Sequence, residues 1–228
     1  MYRAQLPRLY ELKDLTPDPD SPYAYFRDFE TRLRTLPLAF PWYTSLEKRL
    51  QYLHVDAWKA LKLEASQYLS CQNTNRGWSQ LFDILCQADA YRHLTDLGCH
   101  RVNFIPRAAE DGQRTPDLEC WLGLQKVLCE VKRINISDAE RLAREDNTGG
   151  TYQGQLSDGF FRQFQSAISR ARDQIDAHDP QGSSRHIVYI SISFDEGSGF
   201  NRTDELRQIE QHLSENPPLI RVGYSAWN

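Results

Sequence analysis

Residues 115–135, TPDLECWLGLQKVLCEVKRIN, constrain the fold more than any other stretch of the chain. Two runs alternate apolar and polar residues on either side of Gly123, a residue suited to a tight turn. Side chains on a strand point to opposite faces in turn, so the pattern predicts a β-hairpin. On its first strand Asp117, Glu119 and Trp121 share one face, and Leu118, Cys120 and Leu122 share the other. On its second strand Val127, Cys129 and Val131 share one face, and Leu128, Glu130 and Lys132 share the other. A register that buries the Leu/Cys/Val faces together makes Cys120 and Cys129 near neighbours. The same register gathers Asp117, Glu130 and Lys132 on the opposite face, at one end of the hairpin. Two carboxylates held close repel each other unless a cation or a proton intervenes. A hard divalent cation such as Mg²⁺, which uses one or two carboxylates plus waters and a substrate phosphate, resolves that repulsion. A lysine beside such a site orients a water and offsets charge on a phosphorane-like transition state. The competing reading is a solvated strand face with a Glu–Lys pair worth about 0.2–1 kcal/mol.

The pattern on either side of the hairpin divides the chain. Residues 1–75 read as an all-helical lobe. YAYFRDFETRLRTL, TSLEKRLQYL and DAWKALKLEASQYL carry apolar residues near helical spacing, and PLAFPWY separates the first two. The polar stretch CQNTNRG marks the boundary, and residues 76–228 form a second region. There WSQLFDILCQADAYRHLTDLG predicts one long helix closed by Gly98. CHRVNFIP predicts a strand, FFRQFQSAISRARDQIDAH a helix, RHIVYISISFD a strand rich in β-branched residues, TDELRQIEQHLSEN a helix and LIRVGYSAW a last strand. The order α-β-β-β-α-β-α-β points to an α/β fold with a mixed central sheet flanked by helices. The polar AERLAREDNTGGTYQG reads as a flap over a groove or as a surface excursion.

Composition narrows the function classes. The net charge of −4 gives the whole molecule no strong pull toward nucleic acid or anionic lipid, so any such binding needs a local basic patch. No run approaches the roughly 20 apolar residues of a membrane span, and the charged N-terminus lacks a signal-peptide core, so a cytoplasmic protein is expected. The five cysteines show no CxxC spacing and read as buried thiols. No Gly-rich phosphate loop or G-x-S-x-G elbow is present, which argues against NTPase and serine-hydrolase chemistry.

TPDL (115–118) and CEVKRIN (129–135), with DAYRHLTDLGCHRVNFIP upstream and FFRQFQSAISRARDQI and HIVYISISF downstream, resemble the PD-(D/E)xK nuclease superfamily, whose core is restriction-endonuclease-like. The resemblance covers residues 79–195. It implies a Mg²⁺-dependent nuclease, with Mn²⁺ as a substitute, that hydrolyses phosphodiester bonds of nucleic acid, DNA in preference to RNA. It makes Asp117 and Glu130 metal ligands, adds the backbone carbonyl of Val131, and gives Lys132 the attacking water. Many members carry an acid on the first core helix where this chain has Gln87. Asp83, expected one turn earlier on the same face, is a candidate substitute, directly or through water, and the competing reading, an exposed acid near a helix start, is the stronger one. A polar residue of the later helix is expected at the site, Gln165 ahead of Gln174. Arg133, Arg162 and Arg170 are expected to contact phosphates, with Arg172 and Arg185 as further candidates. The alternative is a catalytically inactive nuclease-fold module that binds nucleic acid or a partner protein, with Gln87 as its main support. The N-terminal helices offer a surface for a homodimer or a partner protein.

Overall fold

A computed structural model describes residues 2–72, 77–106, 115–135, 156–193, 203–218 and 220–227. The expected flap and the end of the RHIVYISISFD stretch lie outside these residues. The chain divides into two compact units, Met1–Phe104 and Ile105–Asn228. The boundary expected near residue 75 falls inside the first.

The first unit holds α1 (Tyr2–Gln5), α2 (Pro7–Asp14), α3 (Phe29–Thr35), α4 (Ala39–Gln51), α5 (Val55–Ser66), α6 (Ser79–Leu85), α7 (Gln87–Asp96) and β1 (His100–Phe104). Tyr25 anchors an aromatic cluster, with its ring edge-to-face on Phe26, Trp78 and Phe82 at 4.9, 5.3 and 5.7 Å between centroids. Such pairs add about 0.5–1.5 kcal/mol each beyond burial. Two expectations are corrected here. PLAFPWY breaks the chain only at Pro37 and Leu38, between α3 and α4; its remainder is helical, since α4 begins at Ala39 and accommodates Pro41 in its first turn, where a missing N–H costs nothing. The long helix expected at 79–97 is two helices that meet at Cys86. In a continuous helix the Asp83 carbonyl would accept from the N–H of Gln87. The Cys86 thiol occupies that carbonyl at 3.1 Å. Gly98, with φ of +83°, closes α7 as expected.

Glu47 of α4 is 1 % exposed. Its carboxylate accepts from the backbone N–H groups of Arg8 and Leu9 at 3.2 and 3.0 Å. Leu6, which precedes α2, provides no side-chain cap. Glu47 therefore satisfies from another helix the orphan donors that open α2, and Gln51 donates a third hydrogen bond at 2.9 Å.

The second unit holds β2 (Leu118–Leu122), β3 (Gln125–Asn135), α8 (Asp158–His178), β4 (Arg185–Ser193), α9 (Thr203–Glu215) and β5 (Arg221–Trp227). The architecture is α/β. Within this unit the strands form one mixed sheet in the order β2-β3-β4-β5, flanked by helices. β2 and β3 are antiparallel, with Leu118 opposite Cys129 and Cys120 opposite Val127, a register that keeps the Leu/Cys/Val faces together. Gly123, at φ +62°, supplies the turn, and Leu124 beside it is almost wholly exposed. β3, β4 and β5 run parallel, and α8 and α9 are the crossovers between them.

α8 begins with Ser157 accepting from the Phe160 N–H at 3.1 Å. It lays Phe160, Phe164, Ile168, Ala171 and Ile175 onto Leu128 and Ile134 of β3 and Val188, Ile190 and Ile192 of β4, with Ile209 of α9 in the same core. These β3 residues lie on the face that carries Glu130 and Lys132. The solvated strand face is thereby excluded: a helix covers it. The opposite face, with Leu118, Cys120, Val127 and Cys129, is fully buried too. All five cysteines are free, and only Cys71 is exposed. Among the described residues no helix is long and apolar enough to cross a membrane.

Candidate active site

β3 outruns β2, whose first residue, Leu118, pairs with Cys129. The next β3 residues therefore meet the chain that leads into β2, the Thr115-Pro116-Asp117 segment. Asp117 is held there twice. Its backbone carbonyl accepts from the Ile105 N–H at 2.9 Å. Its side chain accepts from the Val131 N–H at 2.8 Å, standing in for a missing strand partner.

Glu130, directly before Val131, is 3 % exposed. One carboxyl oxygen meets the Lys132 ammonium at 2.5 Å. The other accepts from the side-chain amide of Gln174 at 2.9 Å. Gln174 extends from α8, and its carbonyl oxygen accepts from Lys132 at 3.2 Å. Its amide nitrogen also donates to the Thr115 carbonyl at 2.8 Å. The amide thus has one consistent orientation, oxygen toward the ammonium and nitrogen toward carboxyl and carbonyl. Gln174 thereby ties the two halves of the motif, TPD and EVK, to a single point.

Burial pushes the Glu130 carboxyl up to about 8, with the charge and hydrogen bonding of Asp117 adding to the rise and Lys132 opposing it. Two acids set together in this way disfavour the ionisation of the buried one. The cluster offers a pair of carboxyl groups, with Lys132 and Gln174 in hydrogen-bonding reach of Glu130.

Within the second unit Asp117, Val131, Glu130 and Lys132 lie together, and the later helix contributes Gln174 rather than Gln165. Gln165 is displaced from its expected role: its amide contacts the His212 ring of α9 at 2.9 Å. At 100° per residue, positions 165 and 174 lie about 180° apart around α8, so only one can face β3. Both flank the apolar stripe, and the stripe alone does not say which flank turns toward β3. The right-handed rule for parallel crossovers supplies the missing signal, because it sends the 174 flank to β3 and the 165 flank toward the next crossover. Arg133 neighbours Lys132 along the strand and so points to the opposite sheet face, where its guanidinium lies 3.5 Å from the Ser193 hydroxyl. Arg162 is exposed, as is Arg170, which bonds the Ser166 carbonyl of its own helix at 3.3 Å.

Asp83 and Gln87 belong to the first unit. The break at Cys86 sets them on separate helices, Asp83 exposed and Gln87 buried, so the expected common face is absent. Asp89, which the sequence reading passed over, is buried as well, in an ion pair with Arg49 at 3.1 Å. Among the described residues no group of three or more His, Cys, Asp or Glu side chains could hold a metal ion. The available donors in the cluster are two carboxyl groups and a backbone carbonyl. No protein-family model, no curated protein and no solved structure matches this chain.

Proposed function

We propose that the Asp117–Glu130–Lys132 cluster is the active centre of a divalent-metal-dependent nuclease, with a restriction-endonuclease-like core, that hydrolyses phosphodiester bonds of nucleic acid, DNA in preference to RNA. One observation carries the reading. A carboxyl group stands almost fully buried against a second acid, with a lysine and a glutamine fixed on it. Burial of this kind costs stability, and a structural role does not call for it.

The donor set fits Mg²⁺. Every donor is oxygen, and Mg²⁺ needs only one or two protein carboxylates because it keeps several waters. Asp117 and Glu130 would hold it. The Val131 N–H faces Asp117, and in an antiparallel ladder the N–H and C=O of one residue face the same neighbour. The Val131 carbonyl is therefore turned to that side as well. When bound, the metal supplies Lewis-acid activation of water and neutralises charge on the phosphodiester.

The chain's own residues do the rest. Lys132 would offset the charge that develops on a phosphate bound at Asp117 and Glu130. Gln174 restrains the Lys132 ammonium and the Glu130 carboxyl in one orientation, so neither must reorganise during reaction. α8 covers the face and excludes water from the buried side of Glu130. Val131 holds Asp117 through its N–H. Incubation of the protein with labelled DNA and RNA, in Mg²⁺ or Mn²⁺ and in EDTA, tests the proposal. Metal-dependent cleavage that Lys132→Ala abolishes supports it, and equal cleavage by that variant refutes it.

A second reading has its own observation. Both Glu130 oxygens are already engaged by Lys132 and Gln174, as in a self-satisfied polar network. This favours a catalytically inactive nuclease-fold module that binds nucleic acid or a partner protein. Calorimetric titration with Mn²⁺ separates the two: Asp117-dependent binding belongs to the enzyme, and nucleic-acid binding indifferent to metal belongs to the module.

A further inference from the structure

A cleft of about 430 Å³ opens at the amino ends of β4 and β5, lined by Arg172, Asp176, Ser184, Arg185, His186 and Arg221 among others. Its volume lies within the roughly 300–1,000 Å³ of small-molecule sites. It is not an extension of the Glu130 cluster. Arg172 and Gln174 are two positions apart, about 200° around α8, so the cleft and the cluster occupy opposite flanks of that helix.

The acids at the cleft already have partners. Asp176 meets the His186 Nδ1 at 3.2 Å and the Arg172 Nε at 3.8 Å. Asp173 takes a second Arg172 nitrogen at 3.0 Å. Asp179 lies 3.4 Å from the His186 Nε2. Its carboxylate also accepts from the Ser184 and Ser183 N–H groups at 2.7 and 3.2 Å and from the Ser183 hydroxyl at 2.9 Å. Those bonds, the Ser184 N–H first, hold the Asp179 carboxyl far below the usual carboxylate range. They also fix the turn that forms the cleft wall.

Two cations are left over. Arg221 pairs with Ile187 across the parallel ladder, and Arg185 lies two residues before Ile187, so both arginines start on one sheet face. Among the described residues neither has an ion pair or a side-chain hydrogen bond, and the Ser184 hydroxyl has none either. Like charges on neighbouring strands repel. Arg185, Arg221 and Ser184 all line the cleft, and two guanidinium forks with a hydroxyl suit a tetrahedral oxyanion, whose oxygens accept paired N–H groups.

We propose that this cleft binds a phosphate-type oxyanion, carried by a small phosphomonoester, through Arg185, Arg221 and Ser184. The site stands independently of the nuclease reading. Calorimetry of the full-length protein in EDTA, with inorganic phosphate and then pyrophosphate as probes, tests it. The Arg185→Gln/Arg221→Gln double variant should bind at least about tenfold more weakly, and Lys132→Ala should bind as wild type. Arg185→Lys/Arg221→Lys keeps the charge without the forks and should fall between. A parallel titration with a DNA duplex lacking terminal phosphates distinguishes the source. Phosphate binding lost in the double variant supports a phosphomonoester site. Arginine-dependent binding of the duplex alone assigns the same oxyanion chemistry to a phosphodiester backbone. Binding of neither probe, or equal binding by a folded double variant, overturns the proposal.

Discussion

Glu47 and Glu130 are both buried glutamates, 1 % and 3 % exposed, and they do opposite things. Glu47 is surrounded by donors: two backbone N–H groups that open α2 and the amide of Gln51. Its charge completes a helix end that lacks a cap of its own. Glu130 is set beside a second acid, and its carboxyl is raised to about 8 by burial and by Asp117. One buried acid stabilises its neighbourhood. The other is held where burial and Asp117 make its ionisation unfavourable. Burial of a carboxylate is therefore not diagnostic by itself, and the character of its neighbours decides its role.

Substitutions can break that contrast. The largest effect is expected at Lys132: Lys132→Ala should lower cleavage of labelled DNA by about a thousandfold or more, as loss of a group that neutralises transition-state charge does. Its circular dichroism should match wild type. Glu47→Ala should instead leave cleavage per folded molecule unchanged and destabilise the first unit by about 2–4 kcal/mol, since two N–H groups lose their acceptor. A urea melt measures this. An unchanged midpoint would remove Glu47 from the argument.

The pH dependence sharpens the comparison. A folded carboxyl raised above its unfolded value favours the folded state while protonated, and that advantage is lost as pH rises toward about 8. In EDTA, melting temperature should therefore fall between about pH 5 and pH 8. Glu130→Gln, which is neutral throughout, should flatten that part of the profile and end more stable than wild type above pH 8. A variant that follows the wild-type curve would place the titration elsewhere.

Smaller effects separate the two glutamines of α8. Gln174→Ala should lower cleavage by about 10–100-fold through lost positioning. Gln165→Ala, on the far flank with His212, should stay within about twofold of wild type. The least effect is expected from Ser157→Ala, about 1 kcal/mol of stability from a lost helix cap and no change in cleavage.

Much of the fold was legible because it rests on short-range periodicity. The two-residue alternation around Gly123 placed Glu130 and Lys132 on one face and Leu118, Cys120, Val127 and Cys129 on the other, as the paired strands have them. The apolar stripe of α8 and the β-branched run of β4 identified those elements for the same reason: their periods repeat within one or two turns or pleats. Local bonds that leave no periodic trace were missed. The Cys86 thiol lies on the Asp83 carbonyl where α6 meets α7, and a proline fits the first turn of α4.

Which side chains meet across elements does not follow from local periodicity. The stripe of α8 is flanked by glutamines on both sides, and it is the right-handed crossover of the helix over the sheet that turns Gln174 to β3 and Gln165 to α9. The covering of the Glu130 face by α8, which raises its carboxyl, likewise comes from residues some thirty or more positions away in the chain. A strand's alternation is a property of consecutive backbone angles. The rotation of a helix about its own axis, and the dielectric around a carboxyl group, belong to the whole packed core.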